Sequence, residues 1–216
     1  MLHTMLLEAA RELFLERGYD GATTKEISER AGVSERVLFN RFGSKAEIFK
    51  AAVIAPFAAF ISDYIGLWER EANRDHPEAG LEVFVDGLYD LAIRHRAVLL
   101  SCVARALAAD AGVERELLDE FASTFQRLVP TTGTYAEHHG IHMDNVAVVA
   151  TSAATVLGTA LLDDLLFPRE STRPSRERLI NEIKRRLGDS FAPRKYEPSQ
   201  PGTGSAKIDR GASSAS

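Results

Sequence analysis

The sequence predicts an all-α protein: an N-terminal helix-turn-helix unit of three helices, then a larger helical bundle. Three observations predict it. Apolar residues recur at intervals of three and four through most of the 216 residues, the period of a helix with one buried face. Side chains able to cap helix N-termini stand ahead of those stretches. No segment alternates apolar and polar residues as a half-buried strand would.

Taken in order, residues 5–17 set Leu6, Ala9, Ala10, Leu13 and Phe14 on one face, and Gly18 follows as a helix C-cap. Thr23-Thr24-Lys25-Glu26 is a capping box, so a second helix starts there and runs to about Ala31. Gly32 stands in a tight turn, Val33 points inward, and Ser34 caps the next helix through its hydroxyl. Ser44-Lys45-Ala46-Glu47 is a second capping box and opens a long helix that bends at Pro56. Residues 73–80 read as a turn. Residues 81–108 read as two helices broken near His95, residues 111–112 as a break, and residues 113–128 as a helix. Residues 130–140 read as irregular. Asp144 caps a long helix to Phe167, and Ser175 caps a last one to about Leu187. Residues 191–216 turn to Pro, Gly and Ser and read as a disordered tail.

Composition narrows the classes. Hydrophobic residues make up 45% and charged residues 26%, an ordinary globular balance. A net charge of −5 excludes an all-over basic coat while leaving room for a local basic patch. One cysteine, Cys102, permits no disulfide within the chain, and a cytoplasmic setting is expected. The uncharged stretch 145–162 is about the minimum for a membrane span, but it is rich in Ala, Thr and Ser and runs into Asp163 and Asp164. A bundle helix is the better reading, so no membrane partner is expected.

Residues 23–45 are the most informative. They spell helix, short turn, helix, with Leu38 toward the core, Phe42 closing it, and Glu35, Arg36, Phe39 and Asn40 on the other side. One helix across a DNA backbone and the next in the major groove would use this arrangement. Between residues 30 and 50 there are five basic and two acidic residues, a local charge of +3. A plain helical hairpin with a solvated face fits the same pattern and remains open on the motif alone.

The run AARELFLERGYDGATTKEISERAGVSERVLFNRFGSKAEIFKAAV, residues 9–53, resembles the DNA-binding region of the TetR family of transcriptional regulators. The ELF…RGY…TT entry, the I-x-x-x-A-G-V-S turn, the L-aromatic-x-x-F segment and the following G-S-K carry the resemblance. It implies a DNA-binding domain over residues 1–53, an all-α ligand-binding and dimerisation domain over residues 54–190, and no cofactor or enzymatic activity. The implied partners are double-stranded operator DNA, a small-molecule effector, and a second copy joined through the last two helices.

By position, the resemblance gives Thr23, Thr24 and Lys45 to phosphate and Glu35, Arg36 and Val37 to base edges, with Ser34, Phe39, Asn40 and Arg41 on the same surface. Arg36 can fork onto a guanine and Val37 can touch a thymine methyl. Phe39 stands where many members carry a tyrosine and lacks the hydroxyl that reaches the backbone. Arg41 either supplies that contact or is solvated.

Small residues at Ala147, Ala150, Ser152, Ala153, Ala154, Gly158 and Ala160, and a stripe of Leu179, Ile183 and Leu187, fit a helix interface across a twofold axis or packing within one chain. Phe60, Tyr64, Trp68, Tyr89, Phe121 and Phe125 are candidates to line an apolar effector pocket, together with Cys102, whose residue type more often serves as core. His138, His139 and His142 bring metal-ligand types close in sequence, but Gly140 interrupts them and no metal is expected. Two other classes stay open: a helical carrier or enzyme that ignores DNA, and a metal-responsive protein.

Overall fold

The computed structural model describes residues 1–70, 77–107 and 113–191. Among them every regular element is a helix. Helix α1 (Leu2–Gly21) buries the five residues expected of it, with Tyr19 added. Gly18, at φ 72°, breaks the helical path, as a residue without a β-carbon can. A β-carbon there would also lie 2.5 Å from Ser101 Oγ, so α1 meets a later helix at close range.

Helix α2 (Thr24–Arg30) begins with both halves of the capping box in place. Gly32, at φ 68°, makes the turn, and α3 (Glu35–Phe42) follows with Leu38 as its one buried residue. Ser44 caps α4 (Lys45–Phe49) by accepting from Glu47 N at 3.2 Å. The expected reciprocal half of that box is absent: Glu47 pairs instead with Lys50 at 3.1 Å.

The long helix continues past Pro56. It widens ahead of it: residues Lys50–Ile54 form a π-turn, and α5 (Ala55–Trp68) carries Pro56 in its first turn. Pro56 has no N–H to give to the helical turn before it. Ala55 N instead reaches back five residues to Lys50 O.

Helices α6 (Pro77–Arg94) and α7 (Arg96–Ala106) break at His95, as expected. The expected turn over residues 73–80 is helical from Pro77 on, and its earlier part lies outside the described residues, as do the break at 111–112 and the tail from 192 onward. Helix α8 (Val113–Gln126) is followed by α9 (Val129–His138), which corrects the irregular segment expected there. Pro130 sits in the first turn of α9, and burial of Tyr135 and Ala136 outweighs the weak helix propensity of its Thr and Gly residues. Helix α10 (Asn145–Leu166) is capped by Asp144, which accepts from Ala147 N at 3.0 Å. Helix α11 (Arg176–Phe191) is capped by Ser175.

Two apolar cores result. One joins α1 to α4 and the π-turn and is completed by Val98, Cys102 and Leu117 from α7 and α8. The other lies among α5 to α11. Phe121 packs against both, edge-on to Phe57 at 4.9 Å. The stripe on α11 belongs to the second core: Ile180, Ile183 and Leu187 are buried there and Leu179 is only half-buried. It is therefore used within the chain, against α6.

By length and hydropathy Lys45–Trp68 and Asn145–Leu166 could each cross a membrane. Both bury one face on neighbouring helices here. Asn145–Leu166 leaves its other face bare, with Val146, Leu165 and Leu166 at least 60% exposed. Along that bare face Thr151 and Thr155 turn their hydroxyls onto the carbonyls of Ala147 and Thr151, each at 2.7 Å, and so present methyl groups.

Candidate DNA interface and effector cavity

Helix α3 has eight residues and buries one. Glu35 and Phe42 are half-buried, Phe42 against the same core as Leu38, while Arg36, Asn40 and Arg41 are exposed, and so are the apolar Val37 and Phe39, at 37% and 42%. Two apolar side chains left in water beside two arginines make a poor solvated face and a good groove-reading one. Leu38 is fixed in the N-terminal core, and α2 holds α3 from behind, so the face is rigid.

The acceptors and hydroxyls on this surface are less free than their spacing implies. Thr23 Oγ1 accepts from Glu26 N and donates to Glu26 Oε2 at 2.8 Å. Thr24 Oγ1 donates to Glu35 Oε1, tying the start of α2 to the start of α3. Both threonine hydroxyls are thus engaged, and what faces outward at the start of α2 is its backbone N–H groups. Glu35 is half-buried and held by Thr24, which makes it a brace more than a base reader. Ser34 stands at the N-cap position in extended conformation, but its hydroxyl makes no cap bond, contrary to expectation.

The basic residues divide in the same way. Arg30 is held by Glu16 at 2.7 Å, and that carboxylate raises its pKa above the usual guanidinium range. Lys50 is held by Glu120 at 2.7 Å and by Glu47, which raise its pKa. Lys45 lies over the Tyr19 ring at 4.5 Å, with Nζ 3.4 Å from Asp20 O. Arg41 donates to His3 Nδ1 at 3.3 Å. Arg36 makes no ion pair within the described residues. The local +3 of the sequence therefore reaches the outer surface mainly through Arg36 and Arg41.

In the second core, two cavities adjoin. The inner one, about 40 Å³, is apolar and is lined by Tyr64, Trp68, Phe84, Leu128, Val148 and Val149 among others. The outer one, about 180 Å³, is lined by Glu69, Thr131, Thr134, His138 and His139. Trp68, Thr131 and Tyr135 belong to both. Burial pushes the Tyr64 phenol up, so it stays neutral.

Of the expected pocket residues, only Tyr64 and Trp68 line these cavities. Phe60 packs on Gly87 and Phe84 outside them. Cys102 belongs to the N-terminal core, and Tyr89, Phe121 and Phe125 are packing residues of the bundle, Phe121 bridging to the N-terminal core. The residues that sequence reasoning missed, Thr131 and Tyr135, lie four apart on α9; their helical spacing was the available signal once that segment is recognised as a helix. Helix α9 ends at His138 and Gly140 turns at φ 62°, so His138 and His142 share no helix face. Among the described residues no three His, Cys, Asp or Glu side chains converge as a metal site.

Residues 6–52 match the sequence profile described as "Bacterial regulatory proteins, tetR family". The match covers α1, α2, the Gly32 turn, α3 and α4, the elements that build the outward face.

Over those residues the chain is similar to the TetR family.

Two curated relatives are similar over part of their length. The HTH-type transcriptional activator FasR of Mycolicibacterium smegmatis is 39% identical over 82 residues, 38% of this chain and 37% of FasR. The HTH-type transcriptional repressor AcnR of Corynebacterium efficiens is 44% identical over 46 residues, 21% of this chain and 24% of AcnR. The alignments thus span well under half of either relative. The solved structure of the fatty acid degradation regulator FadR from Bacillus halodurans superposes with a TM-score of 0.62 at 15% identity, covering 85% of this chain and 93% of that one. At that identity the likeness shows the fold alone, over 85% of the chain.

One prediction arises here. Replacing Lys45 with Ala is expected to weaken binding to every DNA sequence alike and to flatten the dependence of affinity on salt by about one unit. Anisotropy titrations over a range of salt check it. An unchanged slope with a lowered melting temperature would reduce Lys45 to a strut between α4 and α1.

Proposed function

We propose that this protein is a DNA-binding transcriptional regulator that acts as a homodimer on a twofold-symmetric operator and releases it when a small, largely apolar molecule binds. The observation that carries the reading is α3: a helix anchored by Leu38 that exposes Arg36, Val37, Phe39 and Asn40, within residues that match the TetR-family profile. The two core clusters support a division near residue 53 into a DNA-binding part and an effector and dimerisation part. The bare apolar face of α10 supports self-association through α10 and α11. A cytoplasmic setting follows from the single cysteine and from work on DNA.

Release has a simple physical form. Two recognition helices fit successive major grooves at one separation only. A ligand that prefers another separation shifts the population off the operator, and a hundredfold loss of affinity takes about 2.7 kcal/mol of coupling. The lever is the continuous run α4, π-turn and α5, which touches α1 at one end and the inner cavity at Trp68 at the other. Of the two directions of control found among relatives, repression fits a ligand-released operator.

The test is selection of duplexes from a random pool. The retained sequences are expected to share a palindrome with half-site centres about 34–36 Å, or a multiple, apart, and retention is expected to fall steeply with salt. Retention without any shared twofold sequence would overturn the reading.

A further inference from the structure

We propose that a cleft between α1 and the bundle is a second ligand site, apart from the two bundle cavities, and that it takes a small organic anion: a carboxylate or phosphate carried on an apolar body.

The cleft, of about 780 Å³, is walled by α1, α5 and α6. Its size is that of a small-molecule site. Leu15, Pro56, Ala59, Phe60 and Leu91 give it apolar walls. His95 lines it at the break between α6 and α7, only 4% exposed, and the imidazole Nδ1 is buried with no hydrogen-bond partner. A buried polar atom of that kind is costly until something meets it. Arg11 of α1 and Arg94, the last residue of α6, line the same cleft, and neither makes an ion pair among the described residues. Both guanidinium charges reach the imidazole: burial first, then Arg11 and Arg94, push His95 down to about 4, so it is neutral. A neutral imidazole with its proton on Nδ1 donates to an oxygen.

The two carboxylates of the cleft leave this positive charge unanswered. Asp90 is taken by Arg176 of α11. Asp63 lies at the other end. Phe60 meets Gly87 and Trp68 meets Gly80, so α5 and α6 run antiparallel. On that register Arg94 and His95 fall at the Pro56 end, and Asp63 is about 10 Å further along α5 at 1.5 Å per residue. The cleft is therefore positive where α1 crosses it and apolar beyond. Two arginines from different helices, with an imidazole beside them, suit an anionic head, and the apolar walls suit its body. Helix α1 belongs to the first core and α6 to the second, so an anion gripped by Arg11 and Arg94 ties one core to the other.

The test is titration calorimetry on the full chain, without DNA, using benzoate, phenyl phosphate and benzyl alcohol. At least one anion is expected to bind one to one, and at least about tenfold tighter than the alcohol. Binding of benzoate alone identifies the head as a carboxylate, binding of phenyl phosphate alone as a phosphate, and binding of both as either anion. Arg11→Gln and Arg94→Gln are each expected to lose about tenfold in anion affinity at an unchanged melting temperature. Ala59→Trp, which fills the cleft from an exposed position on α5, is expected to abolish binding. Anions held no better than the alcohol, full anion affinity in both arginine variants, or full affinity in Ala59→Trp overturns the inference. The regulatory reading is tested separately, by the selection of duplexes.

Discussion

Gly158→Leu is expected to convert the protein to monomers and to lower operator affinity by about a hundredfold or more, because each half-site is then bound without the linkage that makes the second contact intramolecular. The outward face of α10 carries Ala147, Ala150, Ala154 and Gly158 at three- and four-residue spacing, then Leu162 and Leu165. Small residues let two helix backbones come close, and leucine at the centre forces them apart. Within one chain nothing lies within 4 Å of a β-carbon at position 158, so the monomer has room for the new side chain and keeps its fold. Sedimentation at micromolar concentration and thermal melting together check this: the expected variant is smaller, equally folded and weak on DNA. A parent protein that already sediments as a monomer would remove the basis of the prediction.

Arg36→Ala is expected to cost about 1–3 kcal/mol of operator binding and to relax the choice of base at one position in each half-site. Arg36 is exposed on α3, makes no ion pair among the described residues, and stands one residue after the Thr24–Glu35 brace that fixes the start of the helix. Its removal leaves Leu38 and the core behind it untouched, so the melting temperature is expected to stay the same. Competition between the selected operator and single-base variants is the measurement. A variant protein that still rejects every mismatch as the parent does would show that Arg36 reads no base.

The N-terminal unit of α1 to α4 was legible in the sequence because its signals are local. Thr23 and Glu26 cap α2 within four residues, Gly32 needs a positive φ, and Leu38 marks the inward side of α3; each can be read from a short window and each holds in the fold. What the spacing could not tell was which polar atoms are already taken. The partners of Arg30 and Lys50 are Glu16 and Glu120, 14 residues before and 70 after in the chain, and only the fold brings them together. Helix α9 escaped notice because Pro130, Gly133 and three threonines outweigh its apolar residues locally, while the packing of Tyr135 and Ala136 that pays for the helix is tertiary. The cavities were illegible for the same reason: their walls come from α5, α6, α9, α10 and Leu128 ahead of α9, and most of the aromatic residues visible in the sequence pack in the cores.

The π-turn at Lys50–Ile54 sets a counting rule for anyone who cuts or joins this protein. A π-turn holds one residue more than the α-helical path over the same rise, and one residue is about 100° of rotation about a helix axis. The N-terminal unit and the bundle are therefore phased by a single surplus residue, and Glu120 of α8 holds Lys50 at the start of that turn. Chimeras that exchange bundles between related regulators keep their two recognition helices aimed at the same face of DNA only if the crossover lies outside this turn, or carries the whole of it along with its acidic partner on α8.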